Sequence, residues 1–391
     1  MSDVSPALPA YLAALAPVLT GVIAPAAAEI DRTGAYPRAA LDALGRAGLL
    51  GLISAPEVGG SGEGHRAATA AVQAVAEHCG STAMVLMMHY SGTAAIEAFG
   101  PTEVRERIAA GDYVTTLAFS ETGSRSMFWA PMSTAVPGSA TVPTAADGGS
   151  PPTVLLDAQK SWVTSAGEAD GYVWSSRPVA AEGASTIWLV PADTAGLKVG
   201  APFDGLGLRG NNSSPVSASG VEAPFPAMLG ADGGGFDIML GTVLPYFQVM
   251  NAGFSVGTAS AATAKAAAHA AITRFEHLDQ ALADNPVVRA NVARMRIRTD
   301  AAEALLLDTL TALETGRADA TLRVLEVKAL ASETAIDVTD LAMRVCGGAA
   351  FRKEVGVERN FRDSRAASVM APTTDTLYDF IGRIACGLPL F

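Results

Sequence analysis

The chain has 391 residues, 49% hydrophobic and 17% charged, with a formal net charge of −12. That length asks for two or three domains around a large buried interior. The acidic balance, with no basic patch, excludes a nucleic-acid partner, because phosphate contacts need clustered Lys and Arg.

Three cysteines, Cys79, Cys346 and Cys386, are too few and too scattered for a disulfide framework or a zinc site. Five histidines without metal-ligand spacing give no metal, and a reducing cytoplasm fits. Mean hydropathy is high, at +0.28. No run of about 18 uninterrupted apolar residues occurs, so the apolar surface is read as buried between subunits and not in a membrane.

In chain order, residues 8–30 place Leu8, Leu12, Leu15, Leu19, Val22 and Ile23 at helical spacing, interrupted by Pro9, Pro17 and Pro25. No cation precedes Arg32, so a signal peptide is not expected. Pro37 opens a helix through Leu44, and Gly45, Gly48 and Gly51 stop it. The glycine-rich stretch 53–62 is either a phosphate cradle or a connector. The connector is the commoner case, since no Lys-Ser/Thr follows. Residues 70–76 and the nearly all-apolar 84–90 are further helices. His89, on the second, can meet a ligand as acid or base, or sit in the core with one hydrogen bond, which is the blander and preferred reading.

From Tyr113 to Pro224 the pattern alternates with Gly and Pro punctuation, predicting strands over 114–119, 153–157, 171–175, 186–190, 197–199 and 216–221. Between them, 136–152 has little to bury and reads as a hairpin tip. From Gly230 the helical period returns, with long helices over 252–271, 292–313 and 322–346 in the pattern of a bundle. The domains are therefore 1–113 helical, 114–224 β and 225–391 helical.

Two stretches organise the middle: Leu117-Ala118-Phe119-Ser120-Glu121-Thr122-Gly123-Ser124-Arg125-Ser126, and Lys160-Ser161-Trp162-Val163-Thr164. Each starts as a strand and ends in small hydroxylated or Gly residues, which brings polar groups and free N–H donors to a sheet rim suited to a planar, electron-poor ring. Both resemble segments of the acyl-CoA dehydrogenase family of flavoproteins, and the resemblance extends over most of the chain. It implies an α+β fold, with an N-terminal helical domain, a middle β-barrel or sandwich and a C-terminal four-helix bundle. It also implies FAD, an acyl thioester substrate and a homotetramer or homodimer.

The resemblance puts Phe119, Ser120 and Ser126 beside the flavin, Trp162 packed on its ring and Thr164 at N5. Hydroxyl and N–H donors belong there because charge gathers at the ring's polar edge on reduction. Arg274 resembles an arginine that forks onto the cofactor's pyrophosphate, although a solvated helix-end arginine is an equal reading. The family glutamine that follows falls near Pro286. Gly347 and Gly348 resemble a turn touching the cofactor across a subunit contact, and Arg359 to Arg365 matches a segment whose charges pair within the fold. Thr373 and Asp375 complete the expected cofactor shell.

Departures matter as much. Thr122 and Arg125 replace the family's Pro and Gly, and Phe128-Trp129 follows the flavin loop, where an aromatic pair narrows or reshapes the pocket. The family's catalytic Glu-Gly-Thr falls on Ala371-Pro372-Thr373, and its alternative glutamate position falls near Phe247, beside Gln248. Neither supplies the base that removes an α-proton. Asp375, four residues beyond Ala371, is a candidate base or a helix cap; His89 and Tyr246 are outside candidates, and Glu121 reads as structural. Three functions stay open: α,β-dehydrogenation with an atypical base, a flavin monooxygenase of the same fold, and a non-catalytic subunit.

Overall fold

The computed structural model describes residues 8–125, 127–138 and 152–390. Helices come first: α1 (Ala10–Val18), α2 (Ala24–Thr33), α3 (Arg38–Arg46), α4 (His65–Ala76), α5 (Gly80–Phe99) and α6 (Thr102–Ala110). The helix runs on from α1 to α2 through Leu19–Ile23, with Pro17 and Pro25 inside it. This stretch, Ala10–Thr33, is long and apolar enough by length and composition to cross a membrane. Its Leu15, Ile23, Ala27 and Ile30 nonetheless join the main core. The apolar sequence of α5 has its counterpart in position, for every residue from Gly80 to Ile96 is buried.

Among the described residues, the middle of the chain forms two four-stranded sheets. One runs β1 (Thr115–Ala118), β4 (Gly171–Ser176), β5 (Thr186–Pro191), β8 (Met228–Leu229), with β1 parallel to β4 and the remaining pairs antiparallel. The other is antiparallel throughout, in the order β2 (Thr134–Pro137), β3 (Thr153–Val163), β7 (Ser214–Pro224), β6 (Lys198–Val199). The sheet region therefore takes in β8, beyond the last strand foreseen. Most of the hairpin tip expected over 136–152, from 139 to 151, lies outside the described residues.

The third part holds α7 (Leu244–Ile272), α8 (Pro286–Thr315), α9 (Ala320–Cys346), α10 (Val357–Asp363), α11 (Arg365–Val369) and α12 (Thr374–Ala385). α8 opens on Asn285, whose Oδ1 accepts the Val287 N–H at 2.9 Å, with Pro286 at the first helical position. The small-residue face of α7 serves close packing. A Cβ on Gly257 would stand 2.3 Å from the Gln73 carbonyl oxygen, and one on Gly253 2.8 Å from Thr69, so only glycine lets α7 and α4 approach so closely.

Polar latches help to hold the parts together. Arg362 forks onto Asp31 at 2.8 and 2.6 Å, a bidentate pair between α10 and α2. Its neighbour Asp363, fully buried, accepts the Leu208 N–H at 2.7 Å, and burial pushes its carboxyl up to about 6. On the other side, Tyr36 bonds Ser165 at 3.0 Å.

Candidate active site

A cavity of about 700 Å³ opens where these parts meet, lined from α5, the strand rim, the 203–213 loop, the start of α7 and the α11–α12 link. The rim is built by alternation. Along β3, Val154, Leu156, Ala158 and Lys160 are all buried, so the period of two that buries three apolar side chains buries a lysine as the fourth. Its ammonium meets Glu121 at 2.6 Å and also bonds the Ser175 carbonyl at 2.7 Å and the Ser175 hydroxyl at 3.0 Å. Glu121 also accepts the N–H groups of Met132 and Ser133, at 2.7 and 3.0 Å, and the Ser133 hydroxyl at 2.6 Å. Burial alone would raise this carboxyl. Lys160 and the surrounding donors hold it below the usual carboxylate range instead. Burial pulls the Lys160 ammonium down while Glu121 pulls it back.

The ion pair also joins the two stretches singled out in the sequence. Glu121 and Lys160 form an antiparallel bridge, and the Ser161 N–H donates to the Ser120 carbonyl at 2.9 Å. Just beyond, a register shift between Lys160 and Val163 breaks the alternation, and Trp162 takes a left-handed φ of 56°. Its indole is consequently 63% exposed and leans on Phe203, ring centres 4.2 Å apart.

Phe119, Ser120, Trp162, Thr164 and Thr373 all line the cavity. The hydroxyls of Ser120 and Thr164 have no hydrogen-bond partner among the described residues, and an exposed indole stands beside them. That donor set fits the polar edge and flat face of a flavin. Ser126 lies outside the described residues.

The facing wall is of another kind. Val243, Leu244 and Phe247 come from α7 and its approach, Val369 from the end of α11, Met370 and Ala371 from the α11–α12 link, and Met84 and Met88 from α5. Phe128 closes one side, stacked on Phe119 at 6.3 Å and edge-on to Trp129 at 5.1 Å. Behind this wall Lys328 is fully buried, donating to the carbonyls of Met370 and Pro372 at 2.7 and 2.6 Å. Burial pulls its amine down to about 7.

Several candidates stand elsewhere. His89 is fully buried and does not line the cavity. Its Nε2 lies 3.0 Å from the Leu50 carbonyl and its Nδ1 accepts the Thr115 N–H at 3.3 Å, so both ring nitrogens serve the core and burial drives its pKa to about 4. Asp375 is exposed in the first turn of α12 and does not line the cavity. Arg274 is 53% exposed and bonded to Asp279, and it too is absent from the cavity wall. Gly347 and Gly348 sit exposed at the end of α9, Gly347 at φ 57°, again off the wall. Tyr246 stacks on His65 at 3.8 Å instead of facing the cavity.

Met84, Met88, Phe203 and Lys328 are not among the residues that the sequence motifs single out. A signal existed for Lys328, which falls at helical spacing with Val324, Ala331 and Ala335, all buried. Phe203 lies in an irregular loop and left none.

The chain's first part, residues 10–111, matches the acyl-CoA dehydrogenase N-terminal domain, and residues 233–385 match the acyl-CoA dehydrogenase C-terminal domain. Bovine mitochondrial short-chain specific acyl-CoA dehydrogenase is 29% identical over 366 residues, covering 90% of this chain and 83% of the relative. Among solved structures, butyryl-CoA dehydrogenase from Megasphaera elsdenii superposes with a TM-score of 0.86 at 22% identity, covering 97% of this chain and 99% of that one. TdsC from a Paenibacillus species, solved with FMN and indole, does so with a TM-score of 0.84 at 21% identity, covering 97% and 98%. Matched at both ends by models of one family and sharing its fold throughout, the chain belongs to the acyl-CoA dehydrogenase family.

Proposed function

We propose that this chain is a flavin-dependent oxidoreductase acting on a CH–CH bond of an apolar acyl thioester, with FAD as its cofactor, working as a cytoplasmic homo-oligomer. The observation that carries the reading is the pairing, across one cavity, of the Ser120–Trp162–Thr164 rim with an apolar wall. FAD held at that rim would supply the two-electron acceptor for a hydride. The chain's own part is to orient and to exclude water. Ser120 and Thr164 offer hydroxyl donors to the ring's polar edge, Trp162 offers a flat face, and the Met84, Met88 and Phe247 side chains surround the substrate's hydrocarbon.

One observation favours a second reading. Of the lining residues only Glu121 is a carboxylate, and it is spent on Lys160, so no free carboxylate faces the substrate to take an α-proton. An oxygenase of the same fold, running on externally reduced flavin, needs none. Mixing flavin-loaded protein anaerobically with a panel of acyl-CoAs separates the two. Bleaching of the flavin band supports dehydrogenation. Oxygen uptake with a flavin reductase and an aromatic substrate, without bleaching by any acyl-CoA, supports oxygenation.

A further inference from the structure

Two charged side chains line the cavity, Glu121 and Arg125. Glu121 is occupied by Lys160, whereas the Arg125 guanidinium has no hydrogen-bond or ion-pair partner among the described residues. The arginine is exposed and, among the described residues, meets no carboxylate. Its backbone is well held. The N–H groups of Ser124 and Arg125 both donate to the Glu121 carbonyl at 3.2 Å, so the loop hangs from the buried ion pair. Arg125 sits at a left-handed φ of 48°, a conformation that disfavours side chains other than glycine. The result is a free cation with a fixed root, on the rim that also carries Ser120, Trp162 and Thr164. Arg274, the arginine that the sequence offered for pyrophosphate, is bonded to Asp279 and is not in the wall.

Resting on the flavin reading above, we propose that Arg125 anchors the phosphate of the bound flavin. A guanidinium matches phosphate oxygens in a fork, and a cation at the rim can reach a phosphate chain leaving the ring while the hydroxyls hold the ring itself. Coenzyme A also carries phosphates, so the test separates the two sources.

FMN, FAD and riboflavin are titrated into the full-length chain and into its Arg125→Gln variant, following quenching of flavin and tryptophan fluorescence. The parent chain is expected to hold FMN and FAD more tightly than riboflavin by about tenfold to a hundredfold, as charge-assisted bonds to phosphate allow, and the gap narrows with salt. In the variant the gap closes while riboflavin binding is retained, which also shows that the variant is folded. A variant that still prefers FMN and FAD by the parental factor overturns the proposal. So does one that keeps that preference but loses affinity for free coenzyme A, since the arginine then serves the substrate. If no flavin, riboflavin included, binds either protein, the flavin reading itself fails.

Discussion

One wall of the cavity is organised by charge and the other is kept clear of it. On the rim, Glu121 and Lys160 are buried together with each of their polar atoms engaged, and that cluster fixes the strands presenting Ser120 and Trp162. On the facing wall, Phe247, Val369, Met370 and Ala371 carry no titratable group, and the buried Lys328 behind them is turned to backbone carbonyls. A fold in which one wall prepares for a polar ring and the other withholds a base can bind and orient an apolar substrate. Among the lining residues, it offers no free carboxylate to take an α-proton.

The largest expected effect comes from giving the bare wall what it lacks. Ala371→Glu sets a carboxylate on the cavity lining, and a positioned general base contributes roughly 10²–10⁴-fold. The variant should therefore gain anaerobic flavin bleaching by acyl-CoA on that scale, measured by stopped-flow absorbance. No gain in a folded, flavin-binding variant would mean that the wall does not face a thioester's α-carbon. The opposite wall is broken by Lys160→Met, which strands Glu121 as a buried carboxylate. The expected loss is about 3–5 kcal/mol in urea unfolding, with flavin binding weakened as the rim loosens. Replacing both partners by apolar residues should recover much of the stability, because a buried pair that is absent costs less than one that is broken.

How much of this was legible depends on whether the determining pattern was local. The strand stretches around Phe119 and Trp162 were readable from alternation and turn residues, and so were the long helices α5, α7 and α9. The bareness of the second wall was readable by counting from Arg362 to Ala371. The direction of Asp375 was not, because in the first turn of a helix a shift of one residue turns a side chain by about 100°, and only packing sets the helix's rotation. The partner of Arg274 was hidden too, since Asp279 reaches it through a turn that periodicity does not describe. His89 showed its burial in the apolar run of α5, but the Leu50 carbonyl that satisfies it is 39 residues away.

A smaller effect sharpens the contrast from behind the bare wall. Burial brings the folded-state amine of Lys328 down to about 7 from an ordinary 10.5. Between those values the unfolded chain binds more protons than the folded one. Stability from this group is thus complete above 10.5 and is lost as pH falls toward 7, with a slope of at most about 1.4 kcal/mol per pH unit. Urea midpoints measured from pH 7 to 10 should carry this rising component, and Lys328→Met should remove it. A slope unchanged in the variant would show that the amine is solvated in the native state.

The smallest effect is expected at the carboxylate closest in sequence to the vacant base position. Asp375 lies in the first turn of α12, where Thr373 is the N-cap and its Oγ1 accepts the Thr376 N–H at 3.4 Å. An exposed acid there interacts with the helix dipole, worth about 0.3–1 kcal/mol at most. It is not on the cavity wall. Asp375→Asn should leave the rate of flavin reduction, its pH profile and flavin affinity as they were, and lower the thermal midpoint only slightly. A fall of 100-fold or more in flavin reduction, with binding intact, would place a working base at the start of α12. The wall that Phe247 and Ala371 leave bare would then be completed by a movement of that helix.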